Sequence, residues 1–339
     1  MRAFFIDRPG HTRFGTIEEP RPAPGDVLLR IRMVGFCGTD LNTFRGRNPL
    51  VSYPRIPGHE IAATVEWSGA DVPETIQEGL DVAVLPYTAC GTCPACKRGR
   101  PNACRANRTL GVQQDGAMTD RIAVPWRNVL AAPTLSHHAL ALVEPLSIGF
   151  HAVERAEIQP GDRVAVLGCG AVGLGVVAGA AQAGATVIAI DLAPGKLALA
   201  RVAGATHTLR AGDDTLPEQI QALTGGDGPD VVVEAVGLPE TFRAAVDLVA
   251  FTGRVIYIGY AKAPVTYDTS LFVKKELDIR GSRNATADTF RTVADMLALG
   301  GLPVDALVTQ CVAFDDAGEA LHAWDAHPQD ITRIHVDLT

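Results

Sequence analysis

Aromatic side chains are scarce, at 6% of the 339 residues, and charged ones make up only 20%. Positive charge is not in excess: 30 Lys and Arg stand against 38 Asp and Glu, a formal net charge of −8. A dedicated nucleic-acid binder is ordinarily basic, so this balance argues against one. Gly and Pro, at 34 and 22 residues, fall short of the share that marks a low-complexity chain. The first residues, Met1 to Pro9, hold no apolar run of signal-peptide length. The uncharged stretch Val164–Ile190 is long enough to mimic a membrane span. Gly168, Gly170, Gly173 and Gly175 interrupt it, and it reads instead as buried strand, turn and helix. A disulfide framework is not expected either, because the seven Cys are an odd number and four of them crowd between 90 and 104. Together these absences predict a cytoplasmic chain with reduced thiols and neither a membrane nor a nucleic-acid partner. What is present is 47% apolar residues, enough for a sizeable core, in a length that suits two domains.

The texture of the chain changes at about residue 147. Before it, short β-type runs such as Val27–Val34, Ile61–Trp67 and Val82–Leu85 alternate with turn residues, which predicts a β-rich region. After it, strand-like runs at 163–167, 186–190, 229–234 and 253–258 alternate with helical runs at 171–183, 194–203 and 239–250. Such a βαβ series predicts a parallel sheet covered on both faces. The tail beyond about residue 289 carries a helix over 290–299 and short strands.

The run Val164 to Gly173 is a strand leading into G-x-G-x-x-G and then a helix, with an acid, Asp191, 18 residues past Gly173 at the end of the next strand. Each position has its own physical reason. Gly168 permits the tight turn, Gly170 lets a diphosphate approach the backbone, and Gly173 lets helix and strand pack closely. Ala171 and Val172 open the helix whose N–H groups would face the phosphates. Asp191 suits the adenosine ribose hydroxyls and would repel a 2′-phosphate, so NAD is expected over NADP.

Cys90, Cys93, Cys96 and Cys104 have C-x2-C-x2-C-x7-C spacing, which suits a tetrahedral metal ion. Zinc is the first expectation and an iron–sulfur cluster its rival. The ferredoxin pattern, however, places its fourth Cys three residues on and before a Pro. Four protein ligands leave no opening for substrate, which makes this a structural site. The basic residues around it, Lys97, Arg98, Arg100, Arg105 and Arg108, lack interleaved aromatics and read as a solvated face. A second set is scattered: Cys37-Gly38-Thr39-Asp40, Gly58-His59-Glu60 and Glu144-Pro145. Three or four ligands from distant segments, with one position left for water or substrate, describe a catalytic zinc site.

In this order, C-G-T-D, G-H-E, the four-Cys lobe, E-P-L-S, G-x-G-x-x-G and the acid resemble the zinc-dependent medium-chain dehydrogenase/reductase superfamily from end to end. His59 followed by Glu60 is similar to the sorbitol, threonine and sugar-acid dehydrogenase branch, and Lys275–Asn284 resembles dehydrogenases of hexonates such as L-galactonate. The resemblance implies an α/β chain of two domains. One is a catalytic GroES-like domain, a partly open β-barrel, of residues 1–146 and 289–339. The other is a doubly wound Rossmann NAD-binding domain of residues 147–288, with the active site in the cleft between the two.

It also implies a catalytic zinc on Cys37, His59 and Glu60, with Glu144 contacting it directly or through water. Two zinc ions per chain and NAD are then the cofactors, and a homodimer or homotetramer the assembly. The implied reaction is hydride transfer from a secondary alcohol of a polyol or sugar acid to NAD, giving the ketone. The alternatives are a simple-alcohol or threonine-type dehydrogenase on the same scaffold and a non-catalytic NAD and zinc sensor. Thr39 and Glu60 are the candidate catalytic side chains. Thr39 matches the family hydroxyl that takes the alcohol proton, and Asp40 would orient a ligand. Many relatives carry a proton-relay His five residues after the Cys ligand, where this chain has Asn42, which cannot titrate. Arg283 is the candidate contact for a substrate carboxylate or polyol hydroxyl, with weaker claims for Arg45, Arg47 and Arg55. His137, His138 and His151 are expected to be structural.

Overall fold

The computed structural model describes residues 1–328 and 331–339. Its contacts divide the chain into two compact units, Met1–Glu144 with Thr286–Thr339, and Pro145–Ala285. The strands follow in chain order. The first unit begins with β1 (Arg2–Arg8), β2 (His11–Thr16), β3 (Asp26–Phe36), β4 (Glu60–Ser68), β5 (Asp81–Val84), β6 (Arg121–Pro125) and β7 (Val129–Ala131). The second contains β8 (Arg163–Leu167), β9 (Thr186–Asp191), β10 (His207–Arg210), β11 (Val231–Glu234), β12 (Arg254–Tyr257) and β13 (Asp278–Gly281). β14 (Gln310–Ala313) and β15 (Ile334–Asp337) return to the first.

In the first unit β1 and β2 form a hairpin, and the remaining strands form one sheet in the order β14-β15-β3-β4-β5-β7, with β6 also on β3. β3 is the organising strand. Its end is flanked by β4, through Gly35 opposite Glu60, and by β15, through Gly35 opposite His335. Alternation along β3 sends Val27, Leu29 and Ile31 inward with Phe4, Ile61, Val65 and Met118. In the second unit all six strands run parallel in the order β10-β9-β8-β11-β12-β13. Val164–Val166, Val187–Ala189 and Val231–Val233 are fully buried, as two covered faces require. The order reverses direction beside β8, so the crevice at the carboxyl ends of β8 and β11 is the switch point where such sheets bind ligands.

The uncharged stretch 164–190 is thus β8, a turn, the helix Ala171–Gln182 and β9. Among the described residues no helix is long and apolar enough to cross a membrane. One element departs from the reading by texture. Glu144-Pro145 lies inside a 20-residue helix, His137–Ala156, where a strand-and-turn region was expected. Residues Ala139–Leu142 and Val143–Ser147 of that helix are buried, so packing outweighs the hydrogen bond that Pro145 cannot donate.

Candidate active site and metal centres

The four Cys come together on a short loop around the helix Pro94–Lys97, with their sulfurs all within 4.8 Å of one another. The Sγ–Sγ separations are 3.5 Å for Cys93–Cys96, 3.8 Å for Cys93–Cys104 and 3.5 Å for Cys90–Cys104. These are far beyond a disulfide bond. They match the edge of about 3.8 Å that four 2.3 Å metal–sulfur bonds give a tetrahedron. The spacing leaves room for one ion and not for a multi-iron cluster. Backbone N–H groups already point at the sulfurs: Cys93 N donates to Cys90 Sγ at 3.4 Å, and Cys90 N and Ala106 N to Cys104 Sγ at 3.3 Å. The Thr92 N–H and hydroxyl hold the Cys90 thiol down to about 6, which favours the thiolate a metal needs.

The second cluster is assembled from strand ends. Cys37 follows β3 and precedes the helix Gly38–Phe44, and Glu60 opens β4 directly across from Gly35. A side chain at Gly35 would collide with the Glu60 carboxylate, so the glycine makes room for it. One ligand atom each from Cys37, His59 and Glu60 lies within 4.8 Å of the others. Asp40 ties the pieces together. Its Oδ2 accepts from Cys37 N at 2.9 Å, its Oδ1 accepts from Gly58 N at 3.3 Å, and Oδ1 stands 4.0 Å from His59 Nδ1. Thr39 Oγ1 is 3.7 Å from Cys37 Sγ. Glu144 falls outside the 4.8 Å group; its Oε1 accepts a hydrogen bond from the Tyr87 hydroxyl.

Asp40, His59, Glu60 and Glu144 are all buried, so this pocket concentrates negative charge away from water. Burial opposes a charged His59, yet Asp40, Cys37 and Glu144 more than offset it and hold the imidazole up at about 10. Burial likewise opposes the Cys37 thiolate, and the hydrogen bond and charge of His59 bring it below the usual thiol range. Burial pushes Asp40 and Glu144 up. Arg333, also buried, forms an ion pair with Glu60 Oε2. His59 Nδ1 and Glu60 Oε1 have no hydrogen-bond partner. Soft, borderline and hard donors crowded around unsatisfied atoms fit a divalent cation, and zinc in particular.

In the other unit, the turn after β8 has the form its glycines predict. Gly168 sits at φ 93°, where an L side chain is strained, and a side chain at Gly173 would overlap the Gly168 carbonyl. A Cβ at Gly170 would meet open space instead. Nothing in the protein requires that glycine, and the space it leaves lies at the N-terminus of the helix that Ala171 and Val172 begin. The turn therefore fits a diphosphate. Asp191 closes β9 with Oδ2 accepting from Cys169 N at 2.8 Å and Oδ1 from Ala193 N at 2.9 Å. It braces the turn, and each oxygen keeps a lone pair for a hydroxyl donor.

The remaining candidates separate. Arg283 is exposed and belongs to the second unit, apart in the chain's division from the residues of the metal clusters. Arg45 is engaged with Asp325 and Arg55 with Asp115, while Arg47 is exposed. Asn42 is half-buried on the helix Gly38–Phe44. His137 Nε2 lies 3.5 Å from Asp81, His138 pairs with His335 through Nδ1 atoms 2.9 Å apart, and His151 meets Glu154 at 3.2 Å. Sequence reasoning missed Tyr87, Arg333 and His335. All three are single residues with no motif around them.

Comparison with known proteins gives two family matches. Residues 23–134 match the alcohol dehydrogenase GroES-like domain, and residues 171–298 match the zinc-binding dehydrogenase family. L-galactonate-5-dehydrogenase of Escherichia coli K12 is 35% identical over 319 residues, 94% of each chain. Sorbitol dehydrogenase of Bacillus subtilis is 33% identical over 328 residues, 95% of this chain and 92% of that one. Among solved structures, an alcohol dehydrogenase (rspB) of E. coli CFT073 complexed with NADH superposes with a TM-score of 0.92 at 27% identity, covering 100% of this chain and 99% of that one.

Proposed function

This chain belongs to the zinc-dependent medium-chain dehydrogenases, and we propose that within that family it oxidises a secondary hydroxyl of a polyol or sugar acid to a ketone, with NAD as acceptor. The observation that carries the reading is the buried convergence of Cys37, His59 and Glu60 on one small volume. Those three would hold a catalytic zinc, with Glu144 beside them, and the four-Cys lobe would hold a second, structural zinc. When bound, zinc supplies Lewis-acid polarisation of the substrate oxygen, and the nicotinamide supplies the hydride acceptor.

The chain's own residues then have distinct tasks. Asp40 fixes Cys37 and the backbone ahead of His59 through its two hydrogen bonds. Arg333 balances the Glu60 charge from behind. The Thr39 hydroxyl, close to Cys37 Sγ, takes the proton that leaves the alcohol. Asn42 cannot pass that proton on by titrating, so the onward path runs through water or cofactor hydroxyls. The turn Gly168–Gly173 receives the diphosphate, and Asp191 the adenosine ribose, which favours NAD over NADP. Arg283 is a substrate contact in this reading, and the assembly is a homodimer or homotetramer. The test is a panel of polyols, aldonates and amino alcohols with zinc-loaded protein, following NADH absorbance. Turnover of a polyol or aldonate is the expected result. Oxidation of amino alcohols or simple alcohols alone, or no turnover on any hydroxyl compound, overturns the reading.

A further inference from the structure

Glu234 ends β11 with no solvent exposure, and none of the roles above uses it. Its Oε1 takes three donors: Val236 N at 2.9 Å, Gly237 N at 2.7 Å and Thr241 Oγ1 at 2.7 Å. Val236 and Gly237 lie in the loop that precedes the helix Pro239–Leu248 and Thr241 in its first turn, so the carboxylate ties that loop to the start of the helix. Its Oε2 is buried and has no hydrogen-bond partner, and a side chain at Gly259 would collide with it. For stability alone, a buried carboxylate with one bare oxygen is a poor choice. Such an exception in a core is explained by what the group holds.

What Glu234 holds is the loop 235–238. Ala235 N donates to Leu167 O at 2.9 Å, which places the loop against the end of β8. A Cβ built at Gly168 would come within 2.7 Å of Val236 Cγ2, and one at Gly237 within 3.0 Å of Tyr260 O. The loop is therefore wedged between the glycine turn and residues 259–260. It presents Val236 and Leu238 to solvent, 44% and 51% exposed, next to Tyr260 at 75%. These apolar groups rim the crevice between β8 and β11, where the strand order reverses.

We propose that Glu234 is a positioning residue for the dinucleotide: by gripping loop 235–238 it sets the apolar rim of the crevice beside Gly168. This inference rests on the dinucleotide reading of the Gly168–Gly173 turn and goes beyond it, because Glu234 would act through the loop it holds and not through a contact of its own.

The experiment titrates NADH by fluorescence into the zinc-loaded full chain and into Glu234→Ala, Glu234→Gln and Thr241→Val. Glu234→Ala is expected to weaken NADH about tenfold, the worth of charge-assisted hydrogen bonds. Glu234→Gln, which restores an acceptor oxygen, recovers most of that loss, and Thr241→Val, which removes one donor of the three, weakens NADH about threefold. Wild-type affinity in a folded Glu234→Ala overturns the proposal. A loss in Glu234→Ala that Glu234→Gln does not recover makes the residue a structural core group and overturns it too. If Glu234→Ala does not fold, unchanged affinity in Thr241→Val gives the same refutation. Absence of NADH binding to the wild-type protein is a different failure: it removes the dinucleotide reading itself.

Discussion

Replacing Arg333 by Met gives the sharpest test of the electrostatics behind the Cys37–His59–Glu60 cluster. Arg333 is 2% exposed and Glu60 0%, so neither charge has water to fall back on. Burial pulls the guanidinium down to about 10, opposed by Cys37 and Asp40, and it still carries its charge at neutral pH. Removing it leaves Glu60 as an uncompensated buried anion in a pocket already crowded with Asp40 and Cys37. Breaking a buried pair from one side costs about 3–5 kcal/mol. Glu60→Gln in the same chain removes the orphaned charge, so the double variant should recover at least about half of that loss. A cation held by Cys37, His59 and Glu60, as proposed, would do part of the work of Arg333, so the cost of Arg333→Met should be smaller in zinc-loaded protein than after chelation. The assay is urea unfolding followed by tryptophan fluorescence. Trp67, Trp126 and Trp324 all lie in the first unit, so the signal reports the unit that contains the pair. A single variant within about 1 kcal/mol of wild type, or a double variant no more stable than the single, would show that the pair does not carry the energy assigned to it.

The other predictions address separate elements. Burial, with Arg333 and His138 adding to it, pushes His335 down to about 2, so the folded state binds its proton far less readily than the unfolded state does near 6.5. A depressed base stabilises the fold above the unfolded value, and that stability drains as pH falls below about 6.5, at about 1.4 kcal/mol per pH unit for this one group. His335→Gln should therefore flatten the acid limb of a melting-temperature profile, and an unchanged slope refutes the assignment. Asp191→Asn keeps the acceptor for Cys169 N but removes the charge, and should lower the NAD-to-NADP ratio of kcat/KM by about tenfold or more; a constant ratio in steady-state kinetics denies Asp191 that role. Cys104→Ser should lower the zinc content from two ions per chain to one by elemental analysis, leaving NADH affinity unchanged, whereas loss of both ions would mean that the lobe is not independent.

How much of this was legible in the sequence follows from how far apart the cooperating residues lie. The βαβ series could be read almost element by element, because each strand and helix of a covered parallel sheet carries its own periodicity: 163–167 and 186–190 became β8 and β9 nearly unchanged. The four-Cys lobe is equally local, with all its ligands inside fifteen residues. The helix His137–Ala156 was not legible. Its Pro145 is a local stop signal that burial of the surrounding apolar residues overrides, and burial is decided by tertiary contacts that no window of sequence contains.

The cluster of Cys37, His59 and Glu60 lies between these cases. Cys37, His59 and Glu60 could be picked out only because the order of motifs resembles a family. Taken singly, each is an ordinary residue. What surrounds them follows from strand register. Antiparallel pairing sets Gly35 between Glu60 on β4 and His335 on β15, and Arg333 immediately precedes β15, nearly three hundred residues along the chain from Gly35. A shift of one residue in either pairing would turn those side chains to the opposite face and separate the charges. Arg333 thus owes its place to pairing geometry rather than to any pattern of its own. Glu234 is different: its partners are local, two to seven residues along the chain, but no motif marks them. Where a site depends on a residue brought in by register, motif reading finds the candidate ligands and misses the groups packed behind them.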